Sequence, residues 1–92
     1  MARPNTVGPA SVRAEISVTP GTVTAGTAKV LTVTVPGAKV GQPVVGWAPS
    51  LETNLNLGAA WASAANTVKV RVTNPTAADI VGAAQNFYFV QF

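Results

Sequence analysis

Asn66-Thr67-Val68-Lys69-Val70-Arg71-Val72-Thr73-Asn74-Pro75 decides how the rest of the chain is read. Val68, Val70 and Val72 fall on one face of an extended backbone, and Thr67, Lys69, Arg71 and Thr73 on the other. A strict period of two marks a half-buried β-strand. Asn66 in front and Asn74-Pro75 behind are turn residues that stop the strand at both ends. Each valine, once fully buried, contributes roughly 1.5–3 kcal/mol of transfer free energy. A slip of one residue would put all three in water and drive Lys69 and Arg71 into the core, so the register is strongly specified.

Toward the N-terminus the alternation recurs. Residues 14–19 set Ile16 and Val18 inward and Glu15 and Ser17 outward, and Pro20-Gly21 closes the segment with a type II turn signature. Thr22-Val23-Thr24 is a brief pairing segment. Residues 28–35 place Leu31, Val33 and Val35 against Val30, Thr32 and Thr34, and Pro36-Gly37 repeats the punctuation. A loop over 38–43 leads into a short strand at 44–48, which Pro49 breaks. Between Ser50 and Gly58 a loop becomes a strand, with Leu51, Leu55 and Leu57 alternating with Glu52, Asn54 and Asn56; it continues through Trp61, and 63–66 turn into the strand quoted first. The alanine-rich run 59–65 has helical propensity but is too short to stand as a helix between strands.

Toward the C-terminus, 76–82 reads as a loop with one tight turn. Asn86-Phe87-Tyr88-Phe89-Val90-Gln91-Phe92 carries aromatic or apolar residues on both faces, which makes it a central, sandwiched or interfacial strand. The fold class is all-β: a small antiparallel β-sandwich or barrel of six to seven short strands over residues 14–92, preceded by an extended N-terminal arm over residues 1–13. The arm carries Arg3 and Arg13 among Pro4, Gly8 and Pro9, and an arginine-bearing arm suits an acidic neighbouring surface.

Ninety-two residues make one modest domain. The hydrophobic fraction of 48% is that of a globular chain, whereas the charged fraction of 10% is well below the about 25% of ordinary domains. Such a surface is covered by uncharged polar groups or by a partner, and the composition hints at assembly. There is no cysteine, which excludes disulfides and thiolate sites, so stability comes from the core or from oligomerisation. The net charge of +3 arises from six dispersed cations and three acids, too sparse for the clustered footprint of a nucleic-acid binder. Lys69 and Arg71 share a face that Lys29 is positioned to join, and a solvated outer sheet face accounts for them without a specific nucleic-acid ligand. No secretory leader or membrane-spanning helix is expected. The alternation of Tyr88, Val90 and Phe92 is shared with the last strands of outer-membrane barrels, but the chain is too short to make eight membrane-length strands.

Catalysis finds little to work with. Histidine and cysteine are absent, and Glu15, Glu52 and Asp79 are the whole carboxylate inventory. A glycosidase-like mechanism would need two of them converging at about 5–10 Å. No ligand set for zinc or calcium is present, and no cofactor is expected. At least one of Trp47 and Trp61 is expected in the core; exposed, either is an anchor for a partner or a stacking surface for a sugar.

Ile16-Ser-Val-Thr-Pro-Gly-Thr-Val-Thr-Ala, Leu31-Thr-Val-Thr-Val, Val40-Gly-Gln-Pro-Val-Val and the run from Leu57 to Ala77 together resemble small virion structural proteins of tailed bacteriophages. The similarity spans residues 14–92 and rests on strands and turns; Pro75 within the turn and the short proline-bearing arm depart from the pattern. The resemblance implies a capsid cement or decoration protein made in the host cytoplasm and carried on the capsid surface. It would oligomerise, with a trimer favoured, and bridge major capsid protein subunits. The alternative is a glycan-binding host-recognition module of a tail or head fibre. No residue roles carry over from the family. The candidate partner-binding residues are Arg3, Arg13, Trp47, Trp61, Tyr88 and Phe92. The expected role is binding, without enzymatic activity and without a membrane.

Overall fold

Eight antiparallel strands run through residues 12–91, the part of the chain that a computed structural model describes. They are β1 (Val12–Val18), β2 (Gly21–Val23), β3 (Thr27–Thr34), β4 (Val44–Trp47), β5 (Asn56–Ala64), β6 (Thr67–Asn74), β7 (Ile80–Gly82) and β8 (Gln85–Gln91). No helix occurs among the described residues. A front sheet has the order β1-β8-β4, a back sheet the order β3-β6-β5, and β2 pairs with β7 in a two-stranded ribbon. Of the two architectures open to the sequence, this is the sandwich.

The strand over Thr67–Asn74 is the centre of the back sheet, with Val70 and Val72 fully buried and Val68 nearly so. Its neighbour β3 aligns Leu31 with Val70 and Val33 with Val68, so the inward faces match residue for residue. From the front sheet, β8 contributes Phe87 and Phe89, whose ring centroids lie 6.2 Å apart. Val12, Ala14, Ile16 and Val18 of β1 and Val44 of β4 pack around this core, half-buried. The apolar inner faces of the two sheets thus bury one another, the principal favourable term in such a fold.

Turn chemistry fixes the connections. The amide of Ala38 donates to Val35 O at 3.1 Å across Pro36-Gly37, with Gly37 at φ 88°, as a type II turn demands. Asn66, at φ 62°, turns β5 into β6 and stitches the hairpin to the loop after β3. Its carbonyl accepts from Val35 N at 2.9 Å, its amide donates to Ala38 O at 2.9 Å, and its Oδ1 accepts from Gly37 N at 2.8 Å. At the other end of β6, Asn74 is fully buried. Its Nδ2 donates to Val23 O (2.9 Å) and Ala78 O (2.8 Å), and its Oδ1 accepts from the amide (3.0 Å) and hydroxyl (2.7 Å) of Thr76. Buried Gln91 closes the 38–43 loop: Oε1 accepts from Lys39 N at 2.8 Å and Nε2 donates to Lys39 O at 2.7 Å.

The strand assignment differs from the sequence reading in three respects. The first strand starts at Val12, so Arg13 belongs to β1 and not to an arm. The loop expected over 76–82 contains β7, whose three residues are too few to display a period. That raises the strand number from the expected six or seven to eight.

Candidate functional site on the outer sheet faces

The outward residues of the front sheet fall into rows set by the register. Glu15, Tyr88 and Trp47 lie side by side across β1, β8 and β4, and Arg13, Val90 and Val45 form the next row. Gly46 lies on the core side of β4, where a Cβ would make ordinary contact with the Phe89 ring at 3.4 Å, and Val45 and Trp47, opposite Val90 and Tyr88, face out. Trp47 is 62% exposed and Val45 55%. The Trp47 and Tyr88 rings meet at 5.6 Å with a 39° tilt. Glu15 accepts from Asn86 Nδ2 at 2.6 Å and from the Tyr88 hydroxyl at 3.4 Å, which orients the tyrosine. An open hollow of about 410 Å³ runs between Arg13, Glu15, Trp47, Tyr88 and Val90.

The back sheet presents different chemistry. Its outward residues include Val30, Thr32 and Thr34 of β3 and Thr67, Lys69, Arg71 and Thr73 of β6, with Trp61 of β5 opposite Lys69. The Arg71 guanidinium stands 6.0 Å over the Trp61 ring, within cation–π reach. None of the three strands of this sheet carries an acid.

Trp61 reaches this face through a bulge. Leu57 pairs with Val72 and faces in; unbroken alternation would send Trp61 in as well. The register shift between Leu57 and Ala60 sets two residues, Gly58 and Ala59, against Arg71 alone, and from there on the faces are exchanged. Ala60 and Ala62 point to the core and Trp61 to solvent, 37% exposed. The expectation of at least one core tryptophan is therefore corrected: both lie on outer faces, of opposite sheets.

Lys29 does not join Lys69 and Arg71. It pairs with Val72 on the inward side of β3, near the sheet end, where its Nζ donates to Pro20 O at 2.6 Å. The three carboxylates are each engaged at a different place. Besides Glu15, Glu52 accepts from Ala83 N at 2.8 Å and Gln85 Nε2 at 2.9 Å, and Asp79 accepts from Ala25 N at 2.9 Å. The Ala83 amide, with a smaller contribution from Gln85, holds the Glu52 carboxyl below the ordinary glutamate range against the opposing effect of burial. Among the described residues, no three His, Cys, Asp or Glu side chains gather as metal ligands would.

Of the residues expected to bind a partner, Arg13, Trp47 and Tyr88 come together on the front face and Trp61 stands on the back face. Arg3 and Phe92 lie outside the described residues. Sequence reasoning missed Val45 and Val90 on the front face; the alternation Val44, Val45, Gly46, Trp47 holds that signal once glycine is assigned to the core side. Comparisons with protein-family models, curated proteins and solved structures find no match.

Proposed function

We propose that this chain is a virion structural protein, a cement or decoration subunit that attaches to a phage capsid and bridges major capsid protein subunits as a homo-oligomer, a trimer in the favoured arrangement. Its work is binding, without catalysis. The observation that carries this reading is the front outer face, where Val45 and Trp47 stand exposed beside Tyr88 and Val90. Contiguous apolar residues left facing water are the mark of an interaction surface, and Trp, Tyr and Arg are the residues that most often anchor one. The charge-poor composition and the resemblance to phage virion proteins support the same reading.

The test is co-sedimentation of the purified protein with empty phage shells, with the native mass of the free protein measured by light scattering. A discrete oligomer pelleting at fixed stoichiometry, and a Trp47→Ser variant that stays in the supernatant, are the expected results. A protein that ignores shells, or binds them equally well without Trp47, would sink the proposal.

A second reading, a host-recognition module that stacks glycans, is favoured by one feature: an exposed indole on each outer face with hydrogen-bonding groups beside it, Glu15 and Asn86 near Trp47 and Thr32 and Lys69 near Trp61.

A further inference from the structure

We infer that the back outer face is a binding strip for an acidic polysaccharide, with Trp61 as the stacking surface and Arg71 and Lys69 as the oxyanion partners. This deepens the glycan-recognition reading and stands whether or not the front face attaches to a shell.

The β5 bulge leads to it. Inserting one residue forfeits regular ladder pairing at that point, and its result here is to turn Trp61 out of the core onto the face that holds Arg71 and Lys69. The residues opposite Arg71 are the smallest available. Gly58 lies beside Arg71, where a Cβ would make ordinary contact at 3.4 Å from Arg71 O and 3.8 Å from Arg71 Cβ, and Ala59 is exposed. Neither has a side chain long enough to overhang the guanidinium. Stacked on an indole, a guanidinium keeps its edge N–H groups available for a carboxylate or sulfate.

Charge complementarity selects an anion. Lys69 and Arg71 are two residues apart on one strand face, about 6.8 Å at strand rise, and no acid on β3, β5 or β6 opposes them. Thr32, Thr67 and Thr73 share the face with them and supply the hydroxyl partners that sugar hydroxyls need. The apolar face of a pyranose ring stacks on the part of the Trp61 indole that the guanidinium leaves exposed, as other flat apolar groups do. A nucleic acid fits less well, because binding through counterion release scales with the number of phosphates neutralised, and two cations neutralise few. A linear sugar polymer bearing one anionic group every residue or two needs no more than this strip offers.

The experiment uses the full chain in affinity electrophoresis and fluorescence titration at about 50 mM salt. The probes are polygalacturonate and heparin, with neutral dextran and an oligo-dT strand for comparison. Retention by the two acidic polymers and not by dextran is expected. Trp61→Ala and Arg71→Gln should each weaken binding about tenfold, the size of one lost stacking or charge-assisted contact, while the urea unfolding midpoint shows that both variants remain folded. In a Trp47→Phe background, polygalacturonate should change the emission of Trp61. The inference is overturned if neither acidic polymer binds, if Trp61→Ala binds as well as the parent (charge alone would then suffice), or if oligo-dT binds more tightly than both through Trp61. These readouts are separate from shell co-sedimentation, so failure here leaves the capsid reading to its own test.

Discussion

The front and back sheets bury similar inner faces and present dissimilar outer ones. On the front, an acid, a cation and an uncharged polar row surround exposed valine and tryptophan, and Glu15 is tied to Asn86 and Tyr88 within its own sheet. On the back, cations stand among threonines with no acid in the same strands. The pleat gives every strand two faces, so one requirement, a shared core, leaves the outer residues free to diverge. Trp47 and Trp61 show how differently the same residue type is delivered to the surface: regular alternation along β4 sets one outward, and a bulge turns out the other.

The largest expected effects probe the shared core that the comparison assumes. Phe89→Ala, at the centre of the front sheet, should lower unfolding stability by about 3–5 kcal/mol. Asn74→Ala, at the end of the central back strand, leaves Val23 O and Ala78 O short of a donor and should remove about 2–3 kcal/mol. Urea unfolding measures both, and a separate transition for either sheet would break the picture of one core joining two faces.

A smaller effect sharpens the contrast between the surfaces. Trp47→Ala should change stability by less than about 1 kcal/mol and Trp61→Ala by more, about 1–2 kcal/mol, since Trp61 is the more covered of the two although neither belongs to the core. In the parent protein both indoles should be open to acrylamide quenching. Strong protection of Trp61 would mean that the bulge does not turn it outward.

The smallest effect concerns the Glu52 clamp on the loop before β8. Its folded-state pKa is lowered, so the folded chain binds fewer protons there than the unfolded chain. The contribution is present above the ordinary glutamate pKa of about 4.3 and is lost as pH falls through the lowered value. Glu52→Gln should therefore lower thermal stability slightly at neutral pH, and the difference from the parent should close as pH falls through the lowered value, which flattens the acid side of the variant's profile. An identical acid limb in parent and variant would refute the clamp.

How much of this was legible follows from the length and regularity of each element. Thr67–Asn74 alternates without interruption over eight residues and 31–34 over the second half of β3, so their faces could be read directly. Lys29 and Val30 break the pattern in the first half of β3, and the side Lys29 takes was not legible. Gly37 and Asn66 mark turns through chemistry that few other residues supply. The bulge was not legible: Gly58-Ala59 looks like ordinary strand continuation, and the exchange of faces beyond it depends on pairing with Arg71. β7 was hidden by brevity. Among the candidate site residues, composition and type pointed to Arg13, Trp47, Trp61 and Tyr88, but their division between opposite faces is a matter of strand order, which no single segment encodes.

The place of β8 bears on the order in which a growing chain becomes protein. β1 and β4 pair with nothing but β8 in the front sheet, and Val12 finds its partner in Gln91. A ribosome has delivered β3, β5 and β6 by Asn74, so the back sheet can assemble while the front sheet still lacks its middle strand. Until residues 85–91 emerge, the valines of β6 have no aromatic cover and two strands have unpaired edges, the condition under which chains aggregate or are cleaved. Emergence of β8 is thus the event that lets the front sheet form, and a chain cut short before Gln85 would leave β1 and β4 without the strand that joins them.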